Sequence, residues 1–155
     1  MRERMGAGGY TYVSVLIVLV ALALAAQTTW IPPGTEAKRA REAELLFEGM
    51  AYRDAIGSYW RAEPEDPAYP ASLDDLLDDP RAPGTRHIRR LYGIEAGPPR
   101  WTEAWNAEGR IEGVILQIEG TPLKTAGFAP GLEELEDAER YSDWVFRFVP
   151  PEEQP

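Results

Sequence analysis

Three hydrophobic patterns follow one another along this chain. From residue 13 to 26 the sequence is apolar apart from Ser14, and no charge occurs between Gly6 and Ile31. At about 1.5 Å per residue, some 20 helical residues span the ~30 Å of a bilayer core. The segment therefore predicts a helix able to cross a membrane. From residue 36 to 61 the apolar positions recur at spacings of three and four. Ala40, Ala43, Phe47, Met50, Ile56, Tyr59 and Trp60 fall on one stripe. Lys38, Arg39, Arg41, Glu42, Glu48 and Arg53 occupy the other face. This predicts an amphipathic helix, opened by Thr35 as cap, that needs a partner surface, most simply a sheet. Its polar face mixes both signs, unlike a membrane-surface helix.

Beyond residue 63 the texture breaks up. Pro64, Pro67, Pro70, Pro80 and Pro83 punctuate a loop-rich stretch. Within it Ser72 predicts the cap of a short helix over 73–77, with Asp74 and Asp75 in its first turn. A second short helix is expected over 85–91. Strand patterns come last: 110–118, then 121–128 after a turn at Glu119-Gly120, then 143–149 with Arg147 facing out. The acidic stretch 130–141 reads as loop or short helix. A long N-terminal helix, a loop region and a small antiparallel sheet make an α+β arrangement.

The chain has 155 residues and a formal net charge of −10. Setting aside Arg2, Glu3 and Arg4 leaves 14 basic and 25 acidic residues, a net of −11. Such a surface argues against binding a nucleic-acid backbone, which needs clustered Lys and Arg. Arg81, Arg86, Arg89, Arg90 and Arg100 form a local exception, read first as a solvated basic face. There is no cysteine, which removes thiol chemistry and Cys-ligated zinc. Two arginines before the apolar run favour a cytoplasmic N-terminus, and residues 27–30 (QTTW) have the polar-aromatic character of a membrane interface. Pro32-Pro33-Gly34 then interrupts or kinks the helix.

Gly9, the run Tyr10-Thr11-Tyr12-Val13 and the apolar stretch to Ala26 resemble the type IV pilin and type II secretion pseudopilin family. Tyr10 stands where that family usually has phenylalanine, and Thr11 matches its threonine. Pro32-Pro33 falls near its helix-kinking proline. The run YPASLDDLLDDPR at 69–81 looks like the loop after the long helix in secretion pseudopilins. The resemblance covers the first 60 residues in pattern, and the sheet in architecture alone. It implies a pilin-like α+β fold, with a hydrophobic-then-amphipathic helix packed on a small antiparallel sheet. It implies a leader over 1–9, a transmembrane or fibre-core helix over 10–31 and a periplasmic globular domain over 35–155. A prepilin peptidase would cut between Gly9 and Tyr10, on the cytoplasmic side, and the new amine of Tyr10 would be methylated. Glycine before the bond is small and flexible enough for a membrane-embedded peptidase. Ser14 stands at the assembly position where the family normally has glutamate. A serine can only hydrogen-bond there, so the departure points to a minor or atypical member.

The implied function is that of a structural subunit supporting protein secretion. Its implied partners are prepilin peptidase, other pseudopilin or pilin subunits and an inner-membrane assembly platform. The resemblance implies no enzyme activity, no cofactor and no metal. It places the chain in the bacterial inner membrane as a single pass, with its C-terminal domain in the periplasm. Two other readings stay open. Ala21-Leu22-Ala23 and Ala23-Leu24-Ala25 fit a conventional signal-peptide site, giving a mature chain that starts near Gln27, although the apolar run exceeds the usual ~7–15-residue signal core. A single-pass anchored binding protein is the other, with Trp101 and Trp105, interleaved with Arg100 and Glu103, lining a ligand site or else covering the sheet.

Catalytic patterns are sparse. His87 is the single histidine and lies among arginines. No serine or aspartate forms a triad pattern with it in sequence. Asp74-Asp75 and Asp78-Asp79 invite a calcium reading, but Asp74-Asp75 is better explained by the helix dipole. Asp137, Ser142 and Asp143 are the remaining candidates for a calcium site.

Overall fold

The computed structural model describes residues 8–27, 34–94 and 100–151, with the backbone alone at 8–11 and 24–27. Residues 1–7 of the expected leader over 1–9, residues 28–30 of the interfacial patch at 27–30 and the Pro32-Pro33 kink lie outside the described residues. The chain divides into two compact units, Met1–Ala37 and Lys38–Pro155.

The first unit is built on helix α1, Gly8–Gln27. Nothing interrupts it, because the stretch contains no proline and its aliphatic residues tolerate helix well. Its described side chains, residues 12–23, are all exposed. Among the described residues no helix is long and apolar enough to cross a membrane.

The second unit is α+β. Helix α2, Thr35–Arg61, starts at the expected threonine. Three strands follow: β1 at Trp101–Trp105, β2 at Ile111–Leu116 and β3 at Val145–Arg147. They form one antiparallel sheet in the order β1-β2-β3. Trp101 pairs with Leu116 and Val114 with Phe146, and the register slips between Ala104 and Trp105. The core joins Leu45, Tyr52, Ile56 and Tyr59 of α2 to Trp101, Val114, Leu116 and Phe146 of the sheet. Leu132, Leu135, Tyr141 and Trp144 close it from the loop before β3.

Two glycines set how closely α2 meets the sheet. A Cβ at Gly49 would stand 2.5 Å from the Phe146 ring, and one at Gly57 2.7 Å from the Phe148 ring. Two turns apart, they share one helix face. Phenylalanines at alternate positions of the third strand's segment reach that face together.

The sequence pattern found part of the buried face of α2, with Ile56 and Tyr59 in the core as expected, and misplaced part of the rest. Ala40, Ala43 and Phe47 are exposed, whereas Glu42 and Glu48 are buried beside Leu45, Gly49 and Tyr52. Apolar spacing alone cannot anticipate a buried carboxylate, which enters a core only with donors waiting for it. The short helix came where Ser72 predicts it. Leu73–Leu76 is one turn of 3-10 helix, closed by a reciprocal box in which Ser72 Oγ accepts from Asp74 N–H and Asp75 accepts from Ser72 N–H.

No helix forms over 85–91. Both His87 N–H and Ile88 N–H donate to the Leu76 carbonyl, so that segment's donors are spent on a neighbouring turn. Residues 121–128 form no strand either. Pro122 has no N–H, and the next two amides donate to Glu42 rather than to a ladder. Strand β1 was missed because only Trp101 and Ala104 of its residues are buried, which breaks the alternation a strand normally shows. In 130–141 the acids stay exposed while Leu132, Leu135 and Ala138 turn inward around a single 3-10 turn at Glu133–Leu135.

The glycine contacts give a test with an unusual sign. Glycine to alanine inside a helix normally stabilises by roughly 0.5–1 kcal/mol. Gly49→Ala is expected instead to destabilise by about 1–3 kcal/mol, because the methyl group must displace the Phe146 ring. Urea unfolding followed by tryptophan fluorescence decides, and a more stable G49A would refute the close contact.

Candidate functional site

The expected processing residues lie at the start of α1. Gly9 and Tyr10 fall in its first turn, with helical backbone, and Ser14 follows one turn later as an exposed residue. The segment around the proposed scissile bond contains no proline or charge, so local sequence leaves it free to be helix.

In the second unit, three buried carboxylates organise the polar groups. Glu42 accepts from Leu123 N–H at 2.6 Å, Lys124 N–H at 3.2 Å and Tyr141 Oη–H at 2.6 Å. Burial, then the Glu42 charge, drives the Tyr141 phenol far above its ordinary range. Glu48 accepts from the Trp101 indole N–H at 2.9 Å and from Arg100 at 3.0 Å. One helix turn on, Tyr52 Oη donates to the Tyr92 carbonyl at 2.9 Å, and burial pushes its phenol up to about 12.

The third carboxylate stands in a constellation that sequence did not reveal. Ser58 Oγ lies 2.9 Å from His87 Nδ1, and His87 Nε2 lies 3.2 Å from Asp79 Oδ2. Residues at 58, 79 and 87 meet because the chain folds back from the Ser72 turn against the end of α2. The connectivity of serine, imidazole and carboxylate is that of a hydrolytic triad. Its setting is different. The His87 side chain is 3% exposed and that of Asp79 0%. Arg81 takes Asp79 through Nε at 3.1 Å and Nη2 at 3.0 Å, with its own backbone N–H adding a third bond.

Those bonds from Arg81 hold the Asp79 carboxyl well below the usual carboxylate range. The same carboxylate raises the pKa of Arg81. An ionised Asp79 can only accept, so His87 donates to it from Nε2 while Nδ1 faces the Ser58 hydroxyl. Arg81 also donates to the Tyr59 carbonyl at 2.6 Å and stacks 3.7 Å above the Tyr59 ring. That satisfies a carbonyl in the last turn of α2 and sets a cation at the negative end of its dipole. The arrangement is therefore a helix-end clamp, in which every member is occupied by another.

A cleft of about 690 Å³ lies elsewhere, between Arg53 and Arg61 of α2, residues 130–134 and the β3 edge. Four of its charged side chains pair internally, Arg53 with Asp54 and Arg147 with Glu134. Trp101 and Trp105 do not line one site. Trp101 is 4% exposed and bonded to Glu48, whereas Trp105 is 54% exposed at the far end of β1. Among the calcium candidates, Asp143 accepts from Arg140 N–H at 2.9 Å, and Asp137 sits at a positive φ of 59°. Among the described residues no three His, Asp or Glu side chains cluster to hold a metal ion.

No protein-family model, no curated protein and no solved structure matches this chain.

The clamp predicts a pH dependence. Asp79 has a lower pKa folded than unfolded, so its contribution is fully present above the unfolded value of about 3.9. It is lost as pH falls through that value towards the folded one. Between pH 5 and pH 2.5, Asp79→Asn is expected to show a shallower loss of urea midpoint than the unmodified chain. Parallel losses in the two proteins would contradict the clamp.

Proposed function

We propose that this protein is a structural subunit of a type II secretion or type IV pilus-like machine, a minor or atypical member of the pseudopilin group. In this reading a prepilin peptidase cuts after Gly9, and Tyr10 becomes the methylated N-terminus. The apolar helix anchors the chain in the bacterial inner membrane, with the acidic domain in the periplasm. An assembly platform then moves the helix into a filament core beside other pilin or pseudopilin subunits.

One observation carries the proposal. Every described side chain of α1 is exposed, nine of them large and apolar, from Tyr12 to Leu22. A helix apolar on all sides needs a membrane or other helices around it. The sequence stays apolar to Ala26 on a helical backbone that continues to Gln27. The α+β domain, with its amphipathic helix against an antiparallel sheet, is the architecture the resemblance implies. Ser14 leaves α1 uncharged throughout, which removes the large cost of an unpaired charge in an apolar surrounding. The closed state of Ser58, His87 and Asp79 supports a non-enzymatic role, since a nucleophile needs access to its substrate.

Intact-mass and N-terminal fragment analysis of the protein from bacterial membranes tests the reading. The expected mature chain begins at Tyr10 and carries one extra methyl. A chain beginning near Gln27 would establish a conventional signal peptide. An uncut chain in the membrane fraction would establish a simple single-pass anchor.

A further inference from the structure

Two segments of opposite charge, each tied to one of the two outer strands of the sheet, stand out on the domain. The first is 86–94. Arg86, Arg89 and Arg90 are all exposed within five residues. Arg86 and Arg89 have no ion pair among the described residues, and the Arg90 guanidinium stands 5.0 Å from the Tyr92 ring. Beside them Phe47 is 59% and Ile94 58% exposed, with Phe47 edge-on to Tyr92 at 6.2 Å. An N–H···O bond of 3.1 Å from Arg100 to Gly93 ties this segment to the start of β1, and the His87–Ser58 and Tyr92–Tyr52 bonds tie it to α2. The patch is thus an apolar centre with a basic margin, held on rigid supports.

The second segment is 133–139. It carries Glu133, Glu134, Glu136, Asp137 and Glu139, all exposed and with no basic residue among them. Leu135 and Ala138 root it in the core. Arg53 donates to Gly131 O at 2.9 Å, and Glu134 meets Arg147 of β3 at 3.4 Å. Because β1 and β3 are the two edges of a three-stranded sheet, the basic and acidic segments are anchored on opposite sides of it.

We propose that these segments dock on each other between copies of this chain, residues 86–94 of one domain against 133–139 of the next. The inference rests on the filament reading and adds to it that the neighbouring subunits include copies of this chain. Charge complementarity selects the occupant. In a chain of net charge −10, residues 86–90 hold a group of three exposed arginines, and 133–139 holds five exposed acids with no base among them. Such a contact uses different surfaces on the two partners, and a contact of that kind propagates into a ring or an open helix rather than closing as a dimer. Exposed ion pairs individually contribute little, about 0.2–1 kcal/mol. Their role is to fix register and exclude wrong orientations.

The chain contains no cysteine, so introduced thiols report the contact directly. Full-length Arg89→Cys and Glu136→Cys chains, mixed in detergent micelles and treated with a bismaleimide, are expected to give a mixed dimer. Its yield should exceed several-fold that of R89C mixed with Glu108→Cys, which places the thiol in the exposed turn between β1 and β2. The excess should vanish in 1 M NaCl, where the Debye length is about 3 Å, and when R86E and R90E accompany R89C. Val18→Cys in α1, crosslinked with itself, reads helix association separately. A V18C dimer without an R89C–E136C excess overturns the docking and leaves the filament reading standing. No dimer from either overturns both. Protection of the R89C thiol by phosphatidylglycerol vesicles but not phosphatidylcholine vesicles, with no mixed dimer, would assign the patch to a lipid surface and overturn the proposal.

Discussion

The α+β domain depends on carboxylates carried into its core by a helix. Its three strands have 5, 6 and 3 residues, too little ladder to satisfy the backbone of the long connections around them. Buried amides and hydroxyls must nonetheless be paired. Glu42 supplies acceptors for residues 123–124 and Tyr141, and Glu48 does so for Trp101 and Arg100. Asp79 performs the same task from the loop side, returning Arg81 and His87 to the end of α2. Side-chain acceptors therefore do in this domain what extra strands do in a larger sheet.

That solution is costly to disturb in a particular way. A buried carboxylate with all its donors in place contributes modest net stability. Removing one partner leaves a desolvated charge or amide, at about 3–5 kcal/mol for a buried ion pair. The apolar contacts follow a different rule. Gly49 and Gly57 admit Phe146 and Phe148 because they lack a side chain, so the packing there tolerates no added atom. Polar nodes thus fix which loop meets which turn of α2, and the glycines fix how close the sheet comes. Neither can substitute for the other, since hydrogen bonds constrain direction while close packing constrains distance.

Local signals were legible in the sequence, and long-range satisfaction was not. Ser72 as a cap, with Asp74 and Asp75 in the first turn, is a pattern read within four positions, and the structure adds the reciprocal bond from Ser72 N–H to Asp75. Thr35, and the runs within 110–118 and 143–149, likewise marked real elements. Glu42 was assigned to the solvent face because its three donors lie about 80 to 100 residues away, at 123, 124 and 141. The same distance in sequence concealed Ser58, Asp79 and His87, although a lone histidine close after an Asp-Pro-Arg run gave a faint signal of a charged clamp. Residues 121–128 looked like a strand by composition, and Pro122 was the one local warning against it. The arginine-rich stretch was visible from composition. Its position on the edge opposite the acidic run was not, because strand order β1-β2-β3 is a property of pairing rather than of any one segment.

In the proposed assembly the two units would contribute to association on different scales. Burying a large apolar side chain yields about 1.5–3 kcal/mol, and α1 presents nine of them exposed. Even discounted heavily for the entropy of ordering, that sum exceeds anything a handful of exposed ion pairs supplies. Apolar burial has no preferred direction, however, and a helix that is apolar on every side can slide and rotate against a like neighbour at little cost. The domain has the opposite character: its buried carboxylates are matched with donors, and its exposed charges are directional. In the proposed assembly, α1 would decide whether copies come together, and the domain their register. A change on the domain surface should alter order within an assembly while leaving its formation intact.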